Sequence, residues 1–122
     1  MKLADVQKIL QAEVICGSEY LDGEVKSACG ADLMSDVLVH SKEKTLLLTG
    51  LTNIQIIRTA EMGDLVGIVL VRGKRPGQDV IQMAESKCIP VMVTSLPMFE
   101  SCGMLYNHGI KGCSELVIAC ES

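Results

Sequence analysis

Three short polar segments contain the residue types that could bind an anion. Each follows an apolar run, and each places hydroxyl, amide or basic groups near a glycine or near the start of a helical pattern. Backbone N–H groups at a helix start carry partial positive charge, so Thr, Asn and Gly at that point could cradle a phosphate or a carboxylate. The predicted ligand-binding residues are Thr49, Gly50, Thr52, Asn53, Arg72, Lys74, Arg75, Thr94 and Ser95.

The same residues also have structural explanations. Thr52, Asn53 and Ser95 could simply cap helices by accepting hydrogen bonds from backbone N–H groups. The basic cluster at residues 72–75 could meet a phosphate, a carboxylate or an acidic protein face, or it could be a solvated loop tip. The residue types alone leave both alternatives open.

The sequence contains no motif that matches a known catalytic or metal-binding pattern in full. The segment from Gly67 to Arg75 is superficially similar to a phosphate-binding P-loop, but five residues rather than four separate its glycines, and Arg75 stands where Ser or Thr is needed. No two cysteines have C-x-x-C spacing, so a metal site of Cys102, Cys113 and His108 is a minor alternative, as is a Cys–His nucleophile. We therefore predict a protein that is not an enzyme, with no catalytic residue, no metal and no cofactor.

Composition excludes several classes of partner. The net charge of -4 and the 2% aromatic content argue against nucleic acid, which needs a positive field and stacking rings. The longest apolar run, Val66 to Val71, is too short to span a membrane, and the first residues are too polar for a signal peptide. We expect a cytoplasmic protein, without a membrane partner, whose six cysteines are free thiols that act mainly as small apolar residues.

Apolar periodicity predicts the elements that position the polar segments. Strands over Thr45–Thr49, Gly67–Val71 and Ile89–Thr94 are each followed by a helical pattern, which indicates three βα units side by side. The predicted fold class is α/β, with a three-layer α/β/α arrangement and a mainly parallel sheet. In such a sheet the loops after the strands meet at one edge, where ligands bind, so the nine residues should converge there.

The rest of the chain suits the same single domain, residues 1–122. Asp32 is predicted to cap a helix that ends near His40, and Met98, Phe99, Cys102 and Leu105 are predicted to form the apolar stripe of the last helix. Residues 111–115 read as a loop. In the tail at 110–122, the run 116–119 is predicted to be an edge strand or a contact with a second subunit.

The order of three segments resembles that of the DRTGG-domain family, over about residues 1–109. The segments are Gly30-Ala-Asp-Leu-Met-Ser-Asp-Val-Leu38, Leu47-Leu-Thr-Gly-Leu-Thr-Asn-Ile-Gln55 and Pro97-Met-Phe-Glu100. The chain looks most like stand-alone members, which are small proteins of unknown activity. Elsewhere the domain occurs in CBS-containing inorganic pyrophosphatases and phosphate acetyltransferases, and it is similar to the amino-terminal domain of HPr kinase. The resemblance implies a non-catalytic regulatory or dimer-forming module.

The motif that names the family is not retained. Placing Ile54-Gln55 on the family pattern puts the Asp-Arg pair at Gly50-Leu51 and the Thr-Gly-Gly at Val71-Arg72-Gly73, so a single glycine matches. The expected function is a regulatory or scaffolding module that forms a homodimer. The alternative is a small-molecule sensor that binds a nucleotide or another phosphorylated anion, and either could have a further protein partner.

Overall fold

Six strands form one sheet at the centre of the structure, a computed structural model that describes residues 1–113. The strands are β1 (Glu13–Cys16), β2 (Ser27–Gly30), β3 (Thr45–Thr49), β4 (Gly67–Leu70), β5 (Val91–Val93) and β6 (Lys111–Gly112). The helices are α1 (Leu3–Leu10), α2 (Met34–His40), α3 (Ile54–Met62), α4 (Gln78–Ser86) and α5 (Met98–Asn107), with a 3₁₀ turn at Ser18–Tyr20. No helix among the described residues is long and apolar enough to cross a membrane.

The sheet is mainly parallel, with strand order β1-β5-β4-β3-β2-β6. Four neighbouring pairs are parallel, and β1 alone runs antiparallel, beside β5. The three predicted βα units are the adjacent strands β3, β4 and β5 with the helices that follow them. The predicted α/β fold class is confirmed.

The core lies on both faces of the sheet. Every residue of β3, β4 and β5 is buried, because successive side chains point to opposite faces and helices cover each face. Leu47, Ile68 and Val91 pack with α2, α3 and α4 on one face. Leu46, Val69 and Met92 pack with α1 and α5 on the other. The structure is therefore a three-layer sandwich with three helices on one side and two on the other.

Two predictions about local structure are wrong. Lys111 and Gly112 were expected in a loop, but they form an edge strand whose pairing with Ser27 and Ala28 of β2 requires contacts that are distant in sequence. Phe99 was expected in the apolar stripe of α5, yet it is 84% exposed, because Ser101 and Leu105 define the buried side of that helix. The predicted strand at 116–119 lies outside the described residues.

Leu47 provides a test of the doubly covered sheet. It is completely buried on β3, so we expect Leu47→Ala to lower the free energy of unfolding by about 2–5 kcal/mol through lost burial and a residual cavity. Urea denaturation measures the loss. Leu33→Ala is the matched control, since Leu33 is 59% exposed, and its expected change is below about 0.5 kcal/mol. Equal losses in the two variants would contradict the placement of β3.

Candidate functional site

The three polar segments meet at the carboxyl edge of the sheet, as the sequence predicts. Three backbone hydrogen bonds join their loops directly. The N–H of Val71 donates to the carbonyl of Thr49 (3.0 Å), that of Arg72 to Leu96 (2.9 Å), and that of Gly73 to Thr94 (2.8 Å). The loops after β3, β4 and β5 therefore form one connected surface, which we call the carboxyl edge.

Two buried threonines stand at the carboxyl ends of β3 and β5, the strands on either side of β4, and both are bonded in the same way. The Thr49 hydroxyl donates to Oδ1 of Asp32 (2.8 Å) and accepts from the N–H of Leu51 (3.2 Å). The Thr94 hydroxyl donates to the carbonyl of Leu10 (2.8 Å) and accepts from the N–H of Leu96 (3.3 Å). A hydroxyl has one proton to donate, so neither threonine has a donor left for a ligand.

Asp32 closes the turn after β3. The prediction that it caps α2 is wrong, because Leu33 stands at the N-cap of that helix, and no side chain caps it there. Instead, Oδ1 of Asp32 accepts bonds from the Thr49 hydroxyl and from the N–H of Gly50, which is 2.9 Å away. Hydrogen bonds to a carboxylate are stronger than those between neutral groups. A negative group of the protein itself thus occupies the part of the turn that could otherwise hold an anion.

The side chains of Thr52, Asn53 and Ser95, which were predicted to cap helices, do not do so. Asn53 stands at the N-cap of α3, but its side chain accepts no hydrogen bond from the helix. Ser95 is exposed and precedes Pro97, which is the N-cap of α5. Thr52 is half-buried in the loop before α3. The first N–H groups of α3 and α5 are therefore left without a side-chain cap at the carboxyl edge.

The loop after β4 contains three basic residues, of which one forms an ion pair within the described chain and two do not. The guanidinium of Arg75 donates to both carboxylate oxygens of Glu13, at 3.0 and 3.1 Å. These bonds hold the pKa of Glu13 below its usual value and raise that of Arg75. Arg72 and Lys74 are exposed and form no ion pair with any residue between 1 and 113. Arg72 and Lys74 are thus available to a negatively charged ligand, whereas Arg75 is already paired with Glu13.

The cysteines of the minor alternatives are Cys102, which packs with the two-helix side, and Cys113, which is buried and hydrogen-bonds to Cys29. Cys29 packs with the three-helix side. Burial, followed by a hydrogen bond with Cys113, raises the pKa of Cys29 to about 12, so this thiol stays protonated near neutral pH. The exposed ring of His108 hydrogen-bonds to its own helix. Within residues 1–113, no cluster of three His, Cys, Asp or Glu residues could hold a metal ion.

Sequence reasoning missed two acidic residues of the carboxyl edge. Asp32 follows β2, whose carboxyl end lies at the same edge, so its position could have been derived from the parallel pairing of β2 with β3. The position of Glu13 could not be derived in this way. Glu13 begins β1, and because β1 runs antiparallel to β5, the start of β1 lies beside Val93 at the carboxyl end of β5. The edge therefore contains its own negative charges beside the predicted basic ones.

A protein-family model described as the DRTGG domain matches residues 5–107. Among solved structures, the chain is similar to the crystal structure of the CBS and DRTGG domains of the regulatory region of Clostridium perfringens pyrophosphatase, complexed with the activator diadenosine tetraphosphate. The identity is 17% and the TM-score is 0.70, with 85% of this chain and 45% of that chain covered. The likeness shows a shared fold, and this chain spans less than half of the solved one. No curated protein matches.

Asp32→Ala tests the closed turn after β3. The buried hydroxyl of Thr49 would lose its acceptor, and we expect the free energy of unfolding to fall by about 1–3 kcal/mol. The control variant Asp22→Ala removes an exposed carboxylate elsewhere and should change the free energy of unfolding by less than about 0.5 kcal/mol. Urea denaturation distinguishes them, and a fully stable Asp32→Ala variant would show that the turn does not depend on this carboxylate.

Proposed function

The chain belongs to the DRTGG-domain family, and from this premise we propose that it is a non-catalytic regulatory module that acts as a homodimer. The DRTGG domain of the C. perfringens pyrophosphatase is part of a regulatory region. The observation that most supports the proposal is the chemistry of the carboxyl edge. A nucleophile must reach its substrate, whereas the hydroxyls of Thr49 and Thr94 are both buried, and that of Thr94 donates to a backbone carbonyl rather than to a base.

The homodimer is the arrangement that the family resemblance implies. We further propose a cytoplasmic location, where the free thiols of the described chain would stay reduced.

Light scattering coupled to size exclusion tests the homodimer on the full chain. At micromolar concentration we expect a mass of twice the 13.1 kDa of one chain. Dilution should shift the population towards monomer, as mass action requires. A mass of one chain throughout the micromolar range would contradict the homodimer.

A second candidate function is a sensor of a nucleotide or of another phosphorylated anion. Arg72 and Lys74 favour it, because they are exposed cations without an ion pair among residues 1–113 and their loop is bonded to the loop before α5. The pyrophosphatase region with the same fold was crystallised with diadenosine tetraphosphate, although it also contains CBS domains. If this chain binds such a ligand, the ligand would contact Arg72, Lys74 and Ser95 rather than the turn that Asp32 closes.

Thermal unfolding in the presence of ATP, ADP, diadenosine tetraphosphate or inorganic phosphate tests the sensor. A ligand at one hundred times its dissociation constant should stabilise the protein by about 2.7 kcal/mol. We expect Arg72→Ala and Lys74→Ala to reduce this stabilisation, while Arg58→Ala, an exposed arginine on α3, should leave it unchanged. No stabilisation by any of the four at millimolar concentration would exclude them as ligands and leave the regulatory module without a nucleotide.

A further inference from the structure

The few aromatic residues of this protein lie on its surface rather than in its core. The sequence contains one Phe, two Tyr and no Trp. Tyr20 is 37% exposed, Phe99 84% and Tyr106 67%, while the buried core is aliphatic apart from Cys and Met. An aromatic ring gains much free energy when it is buried, and aromatic residues are enriched in protein interfaces. Because this chain has no aromatic ring in its core, its exposed rings indicate a contact surface.

Two of these rings share one side of α5. Phe99, Gly103 and Tyr106 are four and three residues apart, so they lie along one stripe of the helix. A Cβ atom added to Gly103 would meet no atom within 4 Å, so the backbone between the rings is open to close approach. Glu100 is the single charged residue of α5. This stripe has the low charge and aromatic content of an interface centre.

A groove of about 190 Å³ lies beside the stripe, between α5 and the β2–β6 edge of the sheet. Two helices cover this face, and three of the sheet residues that line the groove are small: Ala28, Gly30 and Gly112. Its walls include Ala28, Gly30, Cys102, Tyr106, Ile110 and Lys111. A cavity of about 150 Å³ is enough to hold a benzene ring. The groove therefore has room for one aromatic side chain from outside.

We propose that the stripe and the groove together bind a second copy of this chain, and that each copy inserts its Phe99 ring into the groove of the other. The inference rests on the homodimer proposed above and names its interface. With a two-fold axis perpendicular to α5, the two helices run antiparallel. Phe99, near the start of one α5, then lies opposite Tyr106 and the groove, near the end of the other. One surface supplies both the ring and its site, as a two-fold symmetric contact requires.

Charge complementarity favours a second copy over an unrelated partner. Glu100 follows Phe99, and Lys111 lines the groove beside Tyr106, so the antiparallel arrangement brings each Glu100 towards the partner's Lys111. Neither side chain has an ion pair within the described chain. A stable interface buries at least about 1,200 Å² in total. Four aromatic side chains, at about 150 Å² each, would supply about half of it.

The oligomeric state of variants of the full chain tests the interface. Phe99→Ala should raise the dimer dissociation constant at least about 30-fold, because it removes the central ring from both halves of the contact. Gly103→Glu should abolish the dimer without loss of monomer stability, since the added side chain has open space in one chain but would collide with the second. Met62→Ser is the matched control, as Met62 is 72% exposed on α3, in the other helix layer, and it should not change the dissociation constant.

A charge exchange provides an independent readout. Glu100→Lys and Lys111→Glu should each weaken the dimer, and the double variant should restore it, which a merely structural role of either residue would not produce. A monomeric wild-type chain would overturn both the homodimer and this interface. A wild-type dimer that Phe99→Ala and Gly103→Glu leave intact would overturn the interface alone. Dissociation of the dimer by Met62→Ser would also overturn the interface. The same holds if Phe99→Ala lowers thermal stability but the variant stays dimeric, because the ring would then pack within its own chain.

Discussion

Strands β3, β4 and β5 have no side chain that reaches solvent, so helices must flank them on both faces. Parallel neighbours can be joined only by crossovers that return the chain to the opposite edge, and each crossover here contains a helix. The loops that lead from strand to helix therefore collect at one edge, together with Thr49, Arg72 and Thr94. The position of the candidate site is a consequence of how the central strands are buried.

The polar groups of the carboxyl edge mostly satisfy one another. Asp32 holds the turn after β3, Thr94 bonds to the end of α1, and Glu13 pairs with Arg75. These bonds connect loops that come from distant parts of the chain, and they use Oδ1 of Asp32, the hydroxyl proton of Thr94 and both carboxylate oxygens of Glu13. The edge is therefore suited to holding these loops in one arrangement, and Arg72 and Lys74 are basic residues of the edge without an ion pair in residues 1–113.

The two faces of the sheet are covered unequally. Three helices pack on one side and two on the other, and small residues of β2 and β6 leave a groove beside α5 on the less covered side. The core needs no aromatic ring, because Leu, Ile, Val and Met fill it. The rings of Phe99 and Tyr106 are therefore available at the surface, next to the groove. The chain has only three aromatic residues, too few for stacking on nucleic acid, and two of the three lie in this patch.

The sequence by itself determined the three βα units, the doubly apolar strands and the convergence of Thr49, Arg72 and Thr94, because hydropathy periodicity is a property of consecutive residues. It also carried the resemblance to the DRTGG family. The tertiary structure alone decided that Asp32 bonds to the turn after β3, that Phe99 faces outward, and that β1 runs antiparallel. These features depend on packing between distant segments: Arg75 and Glu13 are 62 positions apart, and only the folded sheet brings them within 3.0 Å.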